Sequence, residues 1–385
     1  VNKGLLIVTN NAPGVIDGVS DFSFGLLRSL RGKNVEAFIA CKKSSTKNLS
    51  IAENSFSEFV YPSVDKWGFK SALEIKSIAK KKEVEYVFLQ YVPYSYSNAG
   101  LPFHLIFLFL LLRLNGIKTA IFFHEIAIDP NESSFINIIR SLLQRICAWK
   151  LCFLSNHVLT STEKYQSMLR PFKSAVQPVP SNFESIYNNE GVLQNESNSN
   201  DIIVSSFLNR CNLTLLETIE QLKKEHLNIK LSLIGKTVES HVLFVKKNVK
   251  AMKMDSYVLL HEERKPADIL KILSDSGIYI QLEKISAKGA GGASGKSGAL
   301  ATAMMLGLPV ISTKGNLTDA FFSANKNIVF VEPGNVASIK MQIKKLIEEA
   351  SFRKQLGGNA KSTYLLHSSW RIVAENIIHQ FDLAA

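Results

Sequence analysis

Short apolar runs return along this chain at intervals that each leave room for one helix, and the series runs twice. Residues 5–9 (LLIVT), 35–40, 86–90, 119–123, 157–160 and 175–178 read as strands, with helices over 20–31, 101–115 and 135–153 between them. The polar stretch 188–201 (NNEGVLQNESNSND) breaks the pattern, and its Asn and Ser clusters mark a linker. Strands then recur at 202–207, 230–234, 257–260, 277–282, 309–312 and 327–331, with helices over 213–225, 266–274 and 336–349. Strands that alternate with helices argue for parallel sheets covered on both faces. The expected fold class is therefore α/β, with two Rossmann-like doubly wound domains facing a central cleft. Their expected bounds are 1–187 and 202–369, joined by the linker 188–201, and the tail 370–385 is expected to pack as a helix back on the first domain. Open α/β sheets bind ligands outside the carboxyl ends of their strands, so a ligand is expected between the two domains.

A hydrophobic content of 46% with 20% charged residues is that of a globular chain. The net charge of +12 is spread over both halves, so no basic tail explains it, and a diffuse positive field suits anionic ligands, nucleic acid or acidic lipid alike. Cys41, Cys147, Cys152 and Cys211 form neither a C-x-x-C pair nor a zinc spacing, and are expected to be reduced thiols of a cytoplasmic protein. No signal peptide is expected, because 1–9 is short and lacks a cleavage region. The apolar run 105–112 falls well below the roughly 20 residues of a spanning helix. In the helix 135–154, Arg140, Arg145 and Lys150 accompany Trp149. Steps of five residues turn about 140° each, so the cations spread around the helix and ordinary packing is expected. Peripheral contact with a membrane is the alternative.

The richest segment is 288–313, KGAGGASGKSGALATAMMLGLPVIST. A glycine-rich basic loop enters a small-residue helix, where backbone N–H groups favour a phosphate or diphosphate. Within it, 290–297 (AGGASGKS) resembles a relaxed nucleoside-triphosphate loop. That reading needs a strand feeding straight into the loop and a later strand ending in a Mg²⁺-binding Asp. Here EKISAK intervenes, and the following strand ends in Ser-Thr.

The frame around the loop resembles the donor half of GT-B glycosyltransferases, and more narrowly the retaining family called group 1 or family 4. Members carry G-x-S-x-[KR]-x-G-[SA]-L ahead of G-[LT]-P-V-[IV]; this chain places Gly292, Ser294, Lys296, Gly298, Ala299 and Leu300 there, followed by GLPVI. Residues 14–24 resemble the family's first glycine loop, 121–125 (IFFHE) its His-Glu strand end, 90–102 its acceptor loop, and 178–183 (PVPSNF) the end of its first domain.

The resemblance implies a transferase that moves a sugar from a nucleotide-diphosphate sugar, of UDP or GDP type, to a glycan or lipid-linked acceptor. Transfer is expected with retention, without metal and with no further cofactor; no nucleic-acid partner is implied. His124 is implied to touch the donor sugar, and Arg210 and Lys296 to hold the diphosphate. The second basic residue of the family would stand about five positions before Arg210, where Ser205 lies, so Lys288 or Lys296 is expected to compensate. The other implied donor contacts are Gly18, Val19, Lys288, Gly292, Ser294, Ser297, Gly298, Ala299 and Thr302; Asp21, Tyr91, Tyr94 and Glu125 are implied on the acceptor side. One departure stands out. The family's Glu-x7-Glu pair falls on Ser294 and Thr302, and Glu283 is near in sequence but out of register. The missing carboxylates keep a non-catalytic nucleotide- or glycan-binding subunit open, and a nucleotide-sugar epimerase is the other alternative.

Overall fold

The computed structural model describes residues 4–12, 17–43, 56–128, 135–190 and 202–383. The chain forms two compact units, 1–179 with 370–385, and 180–369.

In the first unit, β1 (Gly4–Val8), β2 (Ala37–Lys42), β3 (Val60–Val64), β4 (Val84–Tyr91), β5 (Lys118–Phe123), β6 (His157–Thr160) and β7 (Ala175–Val176) form one parallel sheet in the order β3-β2-β1-β4-β5-β6-β7. Leu5 to Val8 face Ala37 to Ala40 on one side and Tyr86 to Leu89 on the other, so β1 is buried along its whole length. A strand covered on both faces must be apolar throughout, which is why LLIV reads as a run and not as an alternation. The strand β3 was not expected from sequence. It carries Pro62 and a half-exposed pattern, both suited to an edge.

The helix Gly18–Arg31 is started by Asp17, whose carboxylate accepts from the Val19 amide at 3.2 Å. It buries Phe22, Leu26, Leu27 and Leu30 on one face. Beside it lies the C-terminal helix Trp370–Phe381, which buries Trp370, Val373, Ala374, Ile377 and Phe381. Gly25 makes that approach possible, since a Cβ there would sit 2.1 Å from the Trp370 ring. At the far end the Phe381 ring stacks 4.8 Å from His157 and 5.1 Å from Tyr86.

In the second unit, β8 (Ile202–Phe207), β9 (Ile229–Ile234), β10 (Val258–His261), β11 (Ile278–Gln281), β12 (Val310–Thr313) and β13 (Val329–Val331) form a parallel sheet in the order β10-β9-β8-β11-β12-β13. The helix Gly298–Met305 is buried among its neighbours and packs against the helix Ala350–His367. A Cβ on Gly357 would stand 2.1 Å from the Gly307 carbonyl oxygen, so the two glycines set that close crossing. The helices Phe69–Lys81, Glu239–Ala251 and Ala350–His367 are further elements beyond those the sequence pattern predicts. Residues 180–190, read from sequence as the end of the first domain and the start of the linker, group with the second unit. The Tyr364 hydroxyl binds the Glu184 carboxylate and accepts from the Ser181 amide at 3.3 Å. Of the expected linker, 191–201 lies outside the described residues, as do residues 14–16 of the expected first glycine loop.

Candidate functional site

Both sheets reverse their strand order once, between β1 and β4 and between β8 and β11. From such a point the chain leaves its two central strands in opposite directions, which opens a crevice outside their carboxyl ends. The second of these points carries a connected polar cluster.

Arg210 closes the short turn Leu208–Arg210 after β8, and Glu283 follows β11 by two residues. Their side chains meet at 2.8 Å between Nη1 and Oε2. The other Glu283 oxygen accepts from the Gln281 amide at 2.5 Å, and that amide also lies 3.1 Å from the Ser297 hydroxyl. Gln281 Oε1 accepts from the Tyr279 hydroxyl at 2.8 Å. Burial pushes the Tyr279 phenol pKa up, so it stays a donor. The hydroxyls of Ser312 and Thr313 on β12 donate to the carbonyls of Gln281 and Glu283, at 2.6 and 2.8 Å, and fix that backbone.

Ser297 joins this cluster to a helix start. Its Oγ accepts from the Leu300 amide at 3.3 Å and caps the helix Gly298–Met305. The first intrahelical bond runs from the Ala301 amide to the Ser297 carbonyl at 3.0 Å. The Gly298 and Ala299 amides therefore precede the ladder, and both residues are half-buried and open to solvent. A guanidinium and first-turn amides, linked through Glu283, Gln281 and Ser297, make a site suited to an anion.

The glycine loop itself contributes less than its sequence promises. Its amides at Gly289, Ala290, Ala293, Gly295 and Ser297 donate within the fold, to the Ser286 carbonyl, Ser286 Oγ, the Thr313 carbonyl, Asp319 Oδ2 and the Ser294 carbonyl. Gly291 and Gly292 adopt φ of +120° and +96°, and a Cβ on Gly292 would lie 2.3 Å from the Gly315 nitrogen. The glycines thus let two loops interlock; they do not form an open cradle. Ser294 is buried among them. Thr302, also expected to touch the donor, is buried, and its hydroxyl is shared between the Gly298 carbonyl and Ser181 Oγ, each at 2.8 Å. Lys296 is half-buried and Lys288 exposed.

In the first unit, Gly18 is exposed at the start of its helix, the Val19 amide is used by Asp17, and Asp21 lies half-buried in the first turn. His124 follows β5 and is only 9% exposed. Its ring stacks on Phe122 at 4.4 Å and meets Phe22 edge-on at 5.0 Å. Its Nε2 lies 2.9 Å from Gln90 Oε1. Burial lowers its pKa to about 3, so the imidazole is neutral at ordinary pH. Glu125 and Tyr94 are exposed. Tyr91, expected on the acceptor side, has its side chain buried against Phe123.

The structure adds Tyr279, Gln281 and Glu283 to the expected residues. A signal was present in the sequence, since Gln281 interrupts an otherwise apolar strand at its carboxyl end. The four cysteines form no disulfide and are buried, and burial raises the Cys147, Cys152 and Cys211 thiols to about 11, 12 and 12. Among the described residues, no three His, Cys, Asp or Glu side chains gather as a metal site.

Residues 198–363 match the family model described as glycosyl transferases group 1. No curated protein sequence matches the chain. Solved structures share its fold over nearly full length. A sucrose-phosphate synthase from Thermosynechococcus elongatus superposes with TM-score 0.68 at 11% identity, covering 99% of this chain and 98% of its own. A glycosyltransferase from Rickettsia africae ESF-5 gives 0.69 at 15%, covering 100% and 99%. Anabaena Alr3699/HepE, in complex with UDP and glucose, gives 0.67 at 13%, covering 99% and 100%. The match to the group 1 glycosyltransferase model thus spans the second unit, in a chain that has the fold of the GT-B glycosyltransferases.

Proposed function

We propose that this chain transfers a sugar from a nucleotide-diphosphate sugar to a glycan or lipid-linked acceptor, with retention and without a metal, at the cytoplasmic face of a membrane. The observation that carries the donor half is the joining of Arg210 to the Gly298–Ala299 amides through Glu283, Gln281 and Ser297. A leaving diphosphate needs donors that are already in place; Glu283 holds the Arg210 guanidinium in position while offsetting part of its charge, and the first-turn amides complete the set. Arg210 and Lys296 neutralise the diphosphate in this reading, and the first-turn amides take its oxygens. His124, held neutral by burial, offers a hydrogen bond to the sugar and no proton. Tyr94, Glu125 and Asp21 are assigned to the acceptor. UDP and glucose in Anabaena Alr3699/HepE favour a UDP-sugar as the first donor to try.

The test is a thermal-shift and calorimetry panel of UDP- and GDP-sugars, followed by transfer assays. A donor at 100 times its Kd should stabilise the chain by about 2.7 kcal/mol. Lys296→Ala should lower turnover while the fold survives. Absence of binding by every nucleotide sugar would end the donor reading. Binding with product formed from the donor alone would replace the transferase by an epimerase.

A further inference from the structure

We propose that the outer face of the first unit's helix layer docks on a lipid bilayer that carries anionic headgroups. The helix Phe135–Leu154 is apolar on two sides. Its inner side buries Cys147, Ala148, Leu151, Cys152 and Leu154, with Ser141 and Gln144 among them. Its outer side presents Phe135, Ile139, Leu142, Ile146, Trp149 and Phe153 to solvent, with Leu142 58% and Phe153 71% exposed. Steps of three and four residues keep these six on one stripe, about 30 Å long for a helix of this length. The three cations do spread around the helix, as their five-residue spacing requires; the stripe is made by the apolar residues between them.

The stripe does not end at one helix. The adjoining helix His104–Leu114 leaves Phe107, Leu110 and Leu114 exposed, the last at 85%. Phe107 meets Phe69 of the helix Phe69–Lys81 at 5.3 Å between ring centres, and Phe69 and Leu73 are exposed as well. Monomeric soluble proteins seldom leave a continuous apolar surface of this extent uncovered.

Charge identifies the occupant. Neither the helix His104–Leu114 nor the helix Phe135–Leu154 contains an acidic residue, whereas they carry Arg113, Arg140, Arg145 and Lys150. Arg145 and Lys150 flank the stripe, at about 60° on one side of Leu142 and about 80° on the other. Pairing with a second copy would set these cations against their like. Anionic lipid neutralises them, while Phe, Ile, Leu and Trp enter the boundary between headgroups and acyl chains. Among the described residues, no helix is long and apolar enough to cross a membrane, so the helices lie along the surface.

The proposal extends the reading of a lipid-linked acceptor and rests on it for why a transferase would sit there; the test reads lipid binding separately from transfer, so either can fail alone. The full chain is floated with phosphatidylcholine vesicles and with vesicles that also contain phosphatidylglycerol. It should rise with the anionic vesicles, less so at high salt. The double variant Leu142→Glu/Phe153→Glu should lose about tenfold or more in partitioning. Both side chains point to solvent, and circular dichroism with nucleotide-sugar binding checks that the variant is folded. A wild-type chain that stays below the vesicles overturns the proposal, and so does a double variant that floats equally well. A concentration-dependent dimer abolished by the same variant assigns the face to a second copy and overturns it too.

Discussion

Arg210 and Glu283 meet at 2.8 Å outside the carboxyl ends of β8 and β11, where the second sheet reverses its strand order. The Arg210 side chain is 40% exposed and Glu283 16%, so water screens one partner and the pair adds modestly to stability. Its worth lies in position. Glu283 is itself held by Gln281, and the guanidinium is therefore kept beside the helix start at Ser297 before any ligand arrives. Arg210→Ala should cost less than about 1 kcal/mol in denaturant unfolding and should slow transfer about 10²-fold. Steady-state kinetics with a saturating acceptor measures the second effect. Unchanged kinetics would leave the pair a surface contact with no part in donor handling.

Ser297 links two roles in one hydroxyl, since it accepts from the Leu300 amide and lies within reach of the Gln281 amide. Ser297→Ala removes both. The loss of the cap should destabilise the second unit by about 1 kcal/mol. Nucleotide-sugar affinity should fall as well, because the first turn of Gly298–Met305 frays and Gln281 loses a partner. Ser297→Asp should restore much of the stability, as Asp also caps, yet should weaken donor binding by placing a negative charge beside the diphosphate. Equilibrium unfolding and calorimetry on the two variants separate these effects.

Most central strands were readable as short apolar runs, as in LLIV of β1, which is covered on both faces. The edge strand β3 was not, because Pro62 and its half-exposed neighbours carry no such run. The helix start at Ser297 was legible from Ser-Gly-Ala ahead of small apolar residues. The fate of the loop before it was not. Positive φ at Gly291 and Gly292 serves equally well for holding phosphate and for interlocking with Gly315, and only the tertiary partner decides between them. Glu283 was hidden for a similar reason, since its partner Arg210 lies 73 residues away. The burial of Tyr91 was not legible either, because its place at a strand's carboxyl end says nothing about which face its side chain takes.

Gly25 is a test of the tail's attachment. A Cβ would stand 2.1 Å from the Trp370 ring, a distance that forces one helix to move. Gly25→Ala should therefore destabilise the first unit by about 1–3 kcal/mol, the usual cost of overpacking. The expected sign runs against helix propensity, which favours Ala by about 1 kcal/mol. Hydrogen exchange should show faster opening of Trp370–Phe381 in the variant. A stabilised protein would mean that the close approach of these two helices does not occur in solution.

His124 gives the pH dependence a direction. Its folded pKa, about 3, lies below the ordinary histidine value of 6.5 because burial disfavours the imidazolium. Between those values the unfolded chain binds a proton that the folded chain does not, so stability rises with pH across this window and is lost as pH falls. The contribution is fully present above about pH 6.5. Taken alone it should decline by about 2 kcal/mol between pH 7 and pH 5. His104, His157 and His261 are shifted in the same direction by burial and add to the slope. His124→Gln keeps a polar group near Gln90 but cannot take up the proton. Its unfolding free energy, measured by urea titration from pH 7 to pH 5, should fall less steeply than that of the wild type by that same amount. A variant with the wild-type slope would show that His124 reaches water and titrates normally in the folded chain.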